Sequence, residues 1–230
     1  MALGVARALG VRLMENFEAP YLARGPRDFW RRWHISLSTW LRDYLYIPLG
    51  GNRRGVPRTQ MNLMTTMLLG GLWHGASWTF VIWGGAHGLW LALERGWWKL
   101  RGEAARDSIG PVRTAIGVAL TFAMVCLTWL IFRAQSIDVA AGFLVALGDT
   151  FDPMAWTDPA FVVDVAYVLH FFWPVAVVQV VRRAVPRTDG DGQPHNLDRQ
   201  LGWLLAAYAV VSLLTQPHAR HDAPFVYFQF

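Results

Sequence analysis

Apolar and polar positions alternate along this chain in long blocks, and the blocks predict helices of membrane-crossing length. Ala115–Phe132 ("AIGVALTFAMVCLTWLIF"), Phe161–Val181 ("FVVDVAYVLHFFWPVAVVQVV") and Leu201–Leu214 with its flanks read as three spans. A bilayer crossing takes ~20 mostly apolar residues, so the third is short. Met61–Leu93 is apolar throughout but broken by Gly70-Gly71, Gly75 and Gly84-Gly85. It is too long for one span and too interrupted for one uniform helix, which predicts a helical hairpin. Residues 28–50, "DFWRRWHISLSTWLRDYLYIPLG", differ again. Aromatics alternate with arginines there, the composition of a helix at the membrane interface, ended by Pro48 and Gly50-Gly51.

Charge gives the blocks an orientation. Residues 24–58 carry eight arginines against Asp28 and Asp43, residues 94–113 and 182–199 are also basic, and residues 134–160 hold no Lys or Arg. The positive-inside rule places the first three segments on the cytoplasmic side and the fourth outside. Met61–Leu93 lies between two cytoplasmic segments, so it enters the membrane and returns. Met61 to Trp73 makes ~18–20 Å of helix, past the midplane but short of the far side. The turn therefore falls at "WHGAS" and His74 lies at membrane depth, where irregular backbone survives only inside protein or along a wet cavity.

Composition agrees: 54% of the 230 residues are hydrophobic and 16% charged, well below the ~25% charged of soluble domains. The net charge of +5 sits in loops and forms no continuous basic face, which excludes a nucleic-acid binder. The single cysteine, Cys126, lies inside an apolar run and reads as a small buried hydrophobe. The first residues, "MALGVARALGVRLMENF", are amphipathic and carry no secretory cleavage pattern. The fold class is thus an all-α membrane protein: a multi-pass helical bundle with an interfacial helix and a re-entrant helical hairpin.

The chemistry is concentrated in a few side chains. An imidazole costs less to bury than a carboxylate or ammonium and is the natural general base near neutral pH, so His74 reads either as such a base or as a core histidine bonded between helices. His34 reads from its neighbours as an interface anchor. His87, in "WGGAHG", is two or three turns from His74 and lacks the i, i+3 or i+4 spacing of a metal pair. His170 falls in a predicted span and reads as structural, and His195, His218 and His221 as solvated. Asp43 reads as a salt-bridged acid beside Arg42. The arginines of residues 24–58 set topology, and where two or more converge they would also receive a phosphate-bearing donor. Nucleophile-elbow, phosphate-loop, dinucleotide and zinc-protease patterns are missing, so no metal or bound cofactor is expected.

Three stretches together, "DFWRRWHISLSTWLRDYLYIPLGGNRRG", "GGLWHGASWTFVIWGGAHG" and the terminal "PFVYFQF", resemble the membrane-bound O-acyltransferase (MBOAT) superfamily, in its bacterial alginate O-acetylation branch. The resemblance covers most of residues 10–95 and the extreme C-terminus. It implies that residues 1–230 are the C-terminal part of one membrane domain in the bacterial inner membrane. It implies that His74 is catalytic and that His34 is a second functional position toward the cytoplasmic side. It also implies acyl-CoA, acetyl-CoA foremost, as donor substrate, and periplasmic acetyltransferase and polysaccharide-modification proteins as partners beside the lipid bilayer. The expected function is transfer of an acyl group across the membrane for O-acetylation of an exopolysaccharide such as alginate. D-alanyl transfer to teichoic acid-type acceptors, and a channel or transporter with a midplane histidine, are the alternatives.

Overall fold

The computed structural model describes residues 9–102 and 110–149, together with residues 5, 6, 157, 173, 174, 176–181 and 208. The chain divides into two compact units, Met1–Leu169 and His170–Phe230. The expected spans 161–181 and 201–214 fall mostly outside the described residues, and His170, His195, His218 and His221 fall wholly outside them. In the second unit, residues 176–181 are helical and Trp173 meets Tyr208 edge-on at 5.7 Å.

The described part of the first unit is helical. A 3-10 turn, Pro20–Leu22, precedes α1 (Pro26–Arg32) and α2 (Ile35–Leu41), which runs into a π-helical turn over Arg42–Tyr46. Then come α3 (Val56–Leu72), α4 (Trp78–Arg101), α5 (Pro111–Arg133) and α6 (Ile137–Asp149). Helix starts follow local chemistry. Proline stands in the first turn of α1, α3 and α5, where its missing N–H costs nothing. Ser77 caps α4, its Oγ accepting from the Thr79 N–H at 3.3 Å. Ser136 does the same for α6 through the Val139 N–H at 3.2 Å.

Two expectations are corrected. The basic-aromatic segment is not one helix, because the chain breaks at Trp33–His34. Trp33 is extended and His34 is left-handed (φ 42°, ψ 57°), a conformation rare for a residue with a Cβ. The cause is remote in sequence. Asn16 takes the opening N–H groups of α2, its carbonyl accepting from Ile35 at 3.0 Å and its Oδ1 from Ser36 at 2.8 Å. The Glu18 N–H bonds the Arg32 carbonyl at 2.9 Å, and Phe17 packs edge-on against Trp33 at 4.8 Å. The N-terminal strap thus performs the capping that His34 does not. Asn16→Ala is expected to lower stability by about 1 kcal/mol. Thermal unfolding in detergent and faster hydrogen exchange at the Ser36 amide check it.

The second correction concerns residues 134–160, read as an outside loop because they lack Lys and Arg. Residues 137–149 form α6, whose apolar stretch Ile137–Gly148 is too short to cross a bilayer.

Helices α3 and α5 bury several polar and small groups and expose large apolar ones. On α3, Thr59, Asn62, Thr66, Gly70 and Gly71 are buried while Met61, Leu69 and Leu72 are exposed. On α5, Thr121 and Thr128 point inward, and Val112, Ile116 and Leu120 outward. The inward hydroxyls bond back to their own helix: Thr66 to the Asn62 carbonyl, Thr121 to Gly117 and Thr128 to Val125, at 2.7–2.9 Å. Such an arrangement suits a lipid-facing exterior, where packing and interhelical polar contacts replace a hydrophobic driving force. Among the described residues, α5 alone is long and apolar enough to cross a membrane.

Small residues bring α3 and α4 into backbone contact. A Cβ on Gly71 would run into the Phe80 carbonyl, and one on Gly84 into the Met67 carbonyl. A Cβ on Gly88 would lie 2.9 Å from the Met64 sulfur and 3.1 Å from its Cα. This seam fixes the height at which the α3–α4 turn presents its residues.

Candidate active site

The turn between α3 and α4 is residues 73–77, and its backbone is tightly tied. The N–H groups of Trp73, His74 and Gly75 donate to the carbonyls of Leu69, Gly71 and Leu72 at 3.0–3.1 Å. Gly75 sits at φ 152°, and a Cβ there would press on the Phe80 ring at 2.9 Å. Glycine lets the chain reverse directly after His74 and keeps space open beside its ring.

His74 is half-buried and ringed by aromatics. Phe132 of α5 meets it edge-on at 4.9 Å, Trp73 at 5.0 Å and Trp83 of α4 at 5.5 Å, with Phe80 at 6.0 Å. The hairpin thus supplies three of its walls and α5 the fourth. Among the described residues no group hydrogen-bonds the His74 ring. His34 lies within electrostatic range of it. His34 is itself half-buried, with the Ser36 hydroxyl 3.5 Å from Nδ1 and the Phe17 ring at 6.2 Å. His34 stands at the break between α1 and α2.

On the α1 side a cavity of about 490 Å³ opens between α1, α2, the π-helical turn, α3 and α4. Arg27, Arg31, Arg42 and Arg95 line it, with Glu94 the one acidic residue among them and Trp30 in its wall. Glu94 Oε2 accepts from the Arg27 N–H at 2.9 Å, a carboxylate seated at the positive end of α1. Arg42 grips Asp43 through Nε at 2.7 Å and Nη2 at 3.1 Å, which holds the Asp43 carboxyl below the usual carboxylate range. Asp43 is therefore an exposed ion-pair partner. Burial raises the Tyr46 phenol, while the charges of Arg95 and Arg27 pull it the other way. Arginines from three separate elements thus line one cavity, with Arg42 among them paired to Asp43.

His87 is not beside His74. It is 0% exposed, with its ring 4.7 Å from Trp83, 5.2 Å from Trp30 and 6.1 Å from both Phe29 and Trp90. Trp83 touches both histidines and joins the two environments. Sequence reasoning missed Trp30, Trp83, Phe132 and Asn16, because their contacts join separate elements and leave no local spacing signal.

Comparison with known proteins gives a consistent picture. Residues 13–136 match the MBOAT, membrane-bound O-acyltransferase family. The whole chain is 41% identical over 248 aligned residues to a probable alginate O-acetylase AlgI of Pseudomonas putida, covering 49% of that protein. A probable alginate O-acetylase AlgI of Azotobacter vinelandii is 56% identical over 140 residues, 61% of this chain and 27% of its own length. A peptidoglycan O-acetyltransferase of Helicobacter pylori is 42% identical over 140 residues, 61% of this chain and 26% of its own. The chain thus spans at most about half the length of these relatives. The matched stretch contains the α1–α2 break, the arginine-lined cavity, the His74 turn and α5, and the chain belongs to the membrane-bound O-acyltransferase family.

Proposed function

We propose that this chain carries the reacting centre of a multi-pass inner-membrane O-acetyltransferase. It takes an acetyl group from a cytoplasmic thioester, acetyl-CoA or a like carrier, toward periplasmic partners that O-acetylate an exopolysaccharide such as alginate. The observation that carries this reading is His74. An imidazole with no hydrogen-bond partner among the described residues sits on a glycine turn, walled by aromatics, within electrostatic range of His34 and on the same helix pair as an arginine-lined cavity.

In this mechanism the arginines hold the phosphates of the donor at the cytoplasmic side, and its thioester end reaches toward His74. Neutral His74 takes the proton of the acceptor hydroxyl as its oxygen attacks the thioester carbonyl. The tetrahedral intermediate collapses with cleavage of the C–S bond, and the imidazolium returns its proton to the departing thiolate. The acyl group ends on oxygen and the imidazole is neutral again. The aromatic walls exclude water, which would otherwise divert the thioester to hydrolysis. His34 acts on the cytoplasmic side of the same path.

The donor half of this reading is tested by comparing acetyl-CoA with acetyl-pantetheine, which lacks the nucleotide phosphates, in membranes carrying the whole protein. Arg31→Ala with Arg95→Ala is expected to raise the KM for acetyl-CoA roughly tenfold or more, as two charge-assisted hydrogen bonds are lost. It should leave acetyl-pantetheine almost unaffected. Equal loss with both donors would remove the phosphate role, and transfer of D-alanyl but not acetyl groups would overturn the acetyl assignment.

A further inference from the structure

The packing around His87 leaves an unusual remainder. Both His87 ring nitrogens and the indole nitrogens of Trp30 and Trp83 are buried with no hydrogen-bond partner among the described residues. The three rings are mutual neighbours: Trp83–His87 at 4.7 Å, Trp30–His87 at 5.2 Å and Trp30–Trp83 at 5.9 Å. Phe29, stacked on His87 at 6.1 Å, helps shield the group from solvent. Buried polar atoms are almost always satisfied, and leaving them bare is costly. If packing were the only demand, phenylalanines would fill this space without that cost.

The donor and acceptor types define what would satisfy them. Each indole offers one N–H and accepts nothing, and a neutral imidazole offers one donor and one acceptor. With no cation and no acid among the three rings, the matching ligand is neutral. It carries an oxygen that accepts from the N–H groups, and a hydrogen on the same group serves the imidazole acceptor. The position is equally specific, since Trp30 lines the arginine cavity and Trp83 touches His74 at 5.5 Å.

We propose that Trp30, Trp83 and His87 form a binding site for one neutral hydrogen-bonding oxygen group, set between the arginine-lined cavity and His74. Two sources share this chemistry: a trapped water molecule, and a secondary amide on the arm of the acyl donor, whose N–H serves the imidazole acceptor. The link of this site to turnover rests on the acyl-transfer reading of His74; its ability to bind does not.

Two experiments on the full-length protein in detergent or membranes test it. The first reads the indole N–H groups by ultraviolet resonance Raman, as differences between the unmodified protein and Trp30→Phe or Trp83→Phe. The signal lost in each variant is expected to be that of a hydrogen-bonded indole. A free-indole signal in both differences, without donor and again with acetyl-CoA added, would overturn the proposal, whether or not acyl transfer is observed.

The second compares His87→Phe, which keeps an aromatic ring, with His87→Gln, which keeps a donor and an acceptor. His87→Phe is expected to fold with an unchanged or raised Tm yet lose roughly tenfold in turnover, the scale of one hydrogen bond, with His87→Gln retaining more. A raised KM for acetyl-CoA in His87→Phe assigns the oxygen to the donor, and a lowered kcat at constant KM assigns it to water. Full activity of His87→Phe, or Phe outperforming Gln, would show a packing role only and overturn the proposal.

Discussion

Replacing His74 by alanine is expected to reduce acyl transfer by about 10²–10⁴-fold, the range for loss of a positioned general base. The fold should survive. The ring is half-buried, and among the described residues it bonds to nothing, so its removal leaves a gap beside Phe132 and Trp83 without stranding a polar partner. A labelled acetyl donor and a hydroxyl acceptor, assayed in membranes carrying the whole protein, read the loss directly. The pH profile gives an independent check. A general base works only when neutral, so transfer by the unmodified protein should fall on the acid side as the imidazole protonates, and the residual rate of His74→Ala should not follow that limb. Retained transfer in the alanine variant would overturn the role assigned to this residue.

The second large effect is expected at the glycine seam. Gly84→Val should lower stability by about 3 kcal/mol or more, at or above the top of the usual overpacking range. A side chain at Gly84 would meet the Met67 carbonyl, which is backbone and has no rotamer to escape into. The two helices must separate, and the turn holding His74 moves with them, so transfer should fall together with Tm. Gly85→Ala is the paired control. A Cβ there meets only Leu68 Cδ2 at 3.5 Å, an ordinary contact, and should change both readouts little. If both variants behaved alike, the seam would not be what sets the height of the turn.

Parts of this arrangement are legible in the sequence because the signals are local. The apolar run broken by glycines reads as a hairpin turning at "WHGAS", and the turn lies there; Gly70-Gly71 and Gly84-Gly85 instead fall inside α3 and α4. The unbroken run around Val125 reads directly as a long apolar helix. The His34 break is different. Its neighbours have the composition of a continuous helix, and the interruption is imposed by Asn16, eighteen positions earlier. Helix α6 was hidden for another reason: absence of Lys and Arg speaks to sidedness and says nothing about backbone conformation. The box around His87 is tertiary. Phe29 and Trp30 come from α1 and Trp83 and Trp90 from α4, so no window of sequence contains the pattern.

The glycine seam also divides the molecule into parts that yield and parts that do not. At Gly71 and Gly84 the contacts between α3 and α4 are backbone against backbone, with no side chain able to swing aside, so the pair has little room to deform there. His74 and His87 ride on that stiff unit and keep their separation. The α1–α2 segment is held otherwise, by ring edges, the Glu94–Arg27 hydrogen bond and the Asn16 strap, contacts that can be released one at a time. Admission of a bulky donor would therefore be accommodated by displacement of the arginine-bearing segment, with the hairpin as the anvil against which it closes.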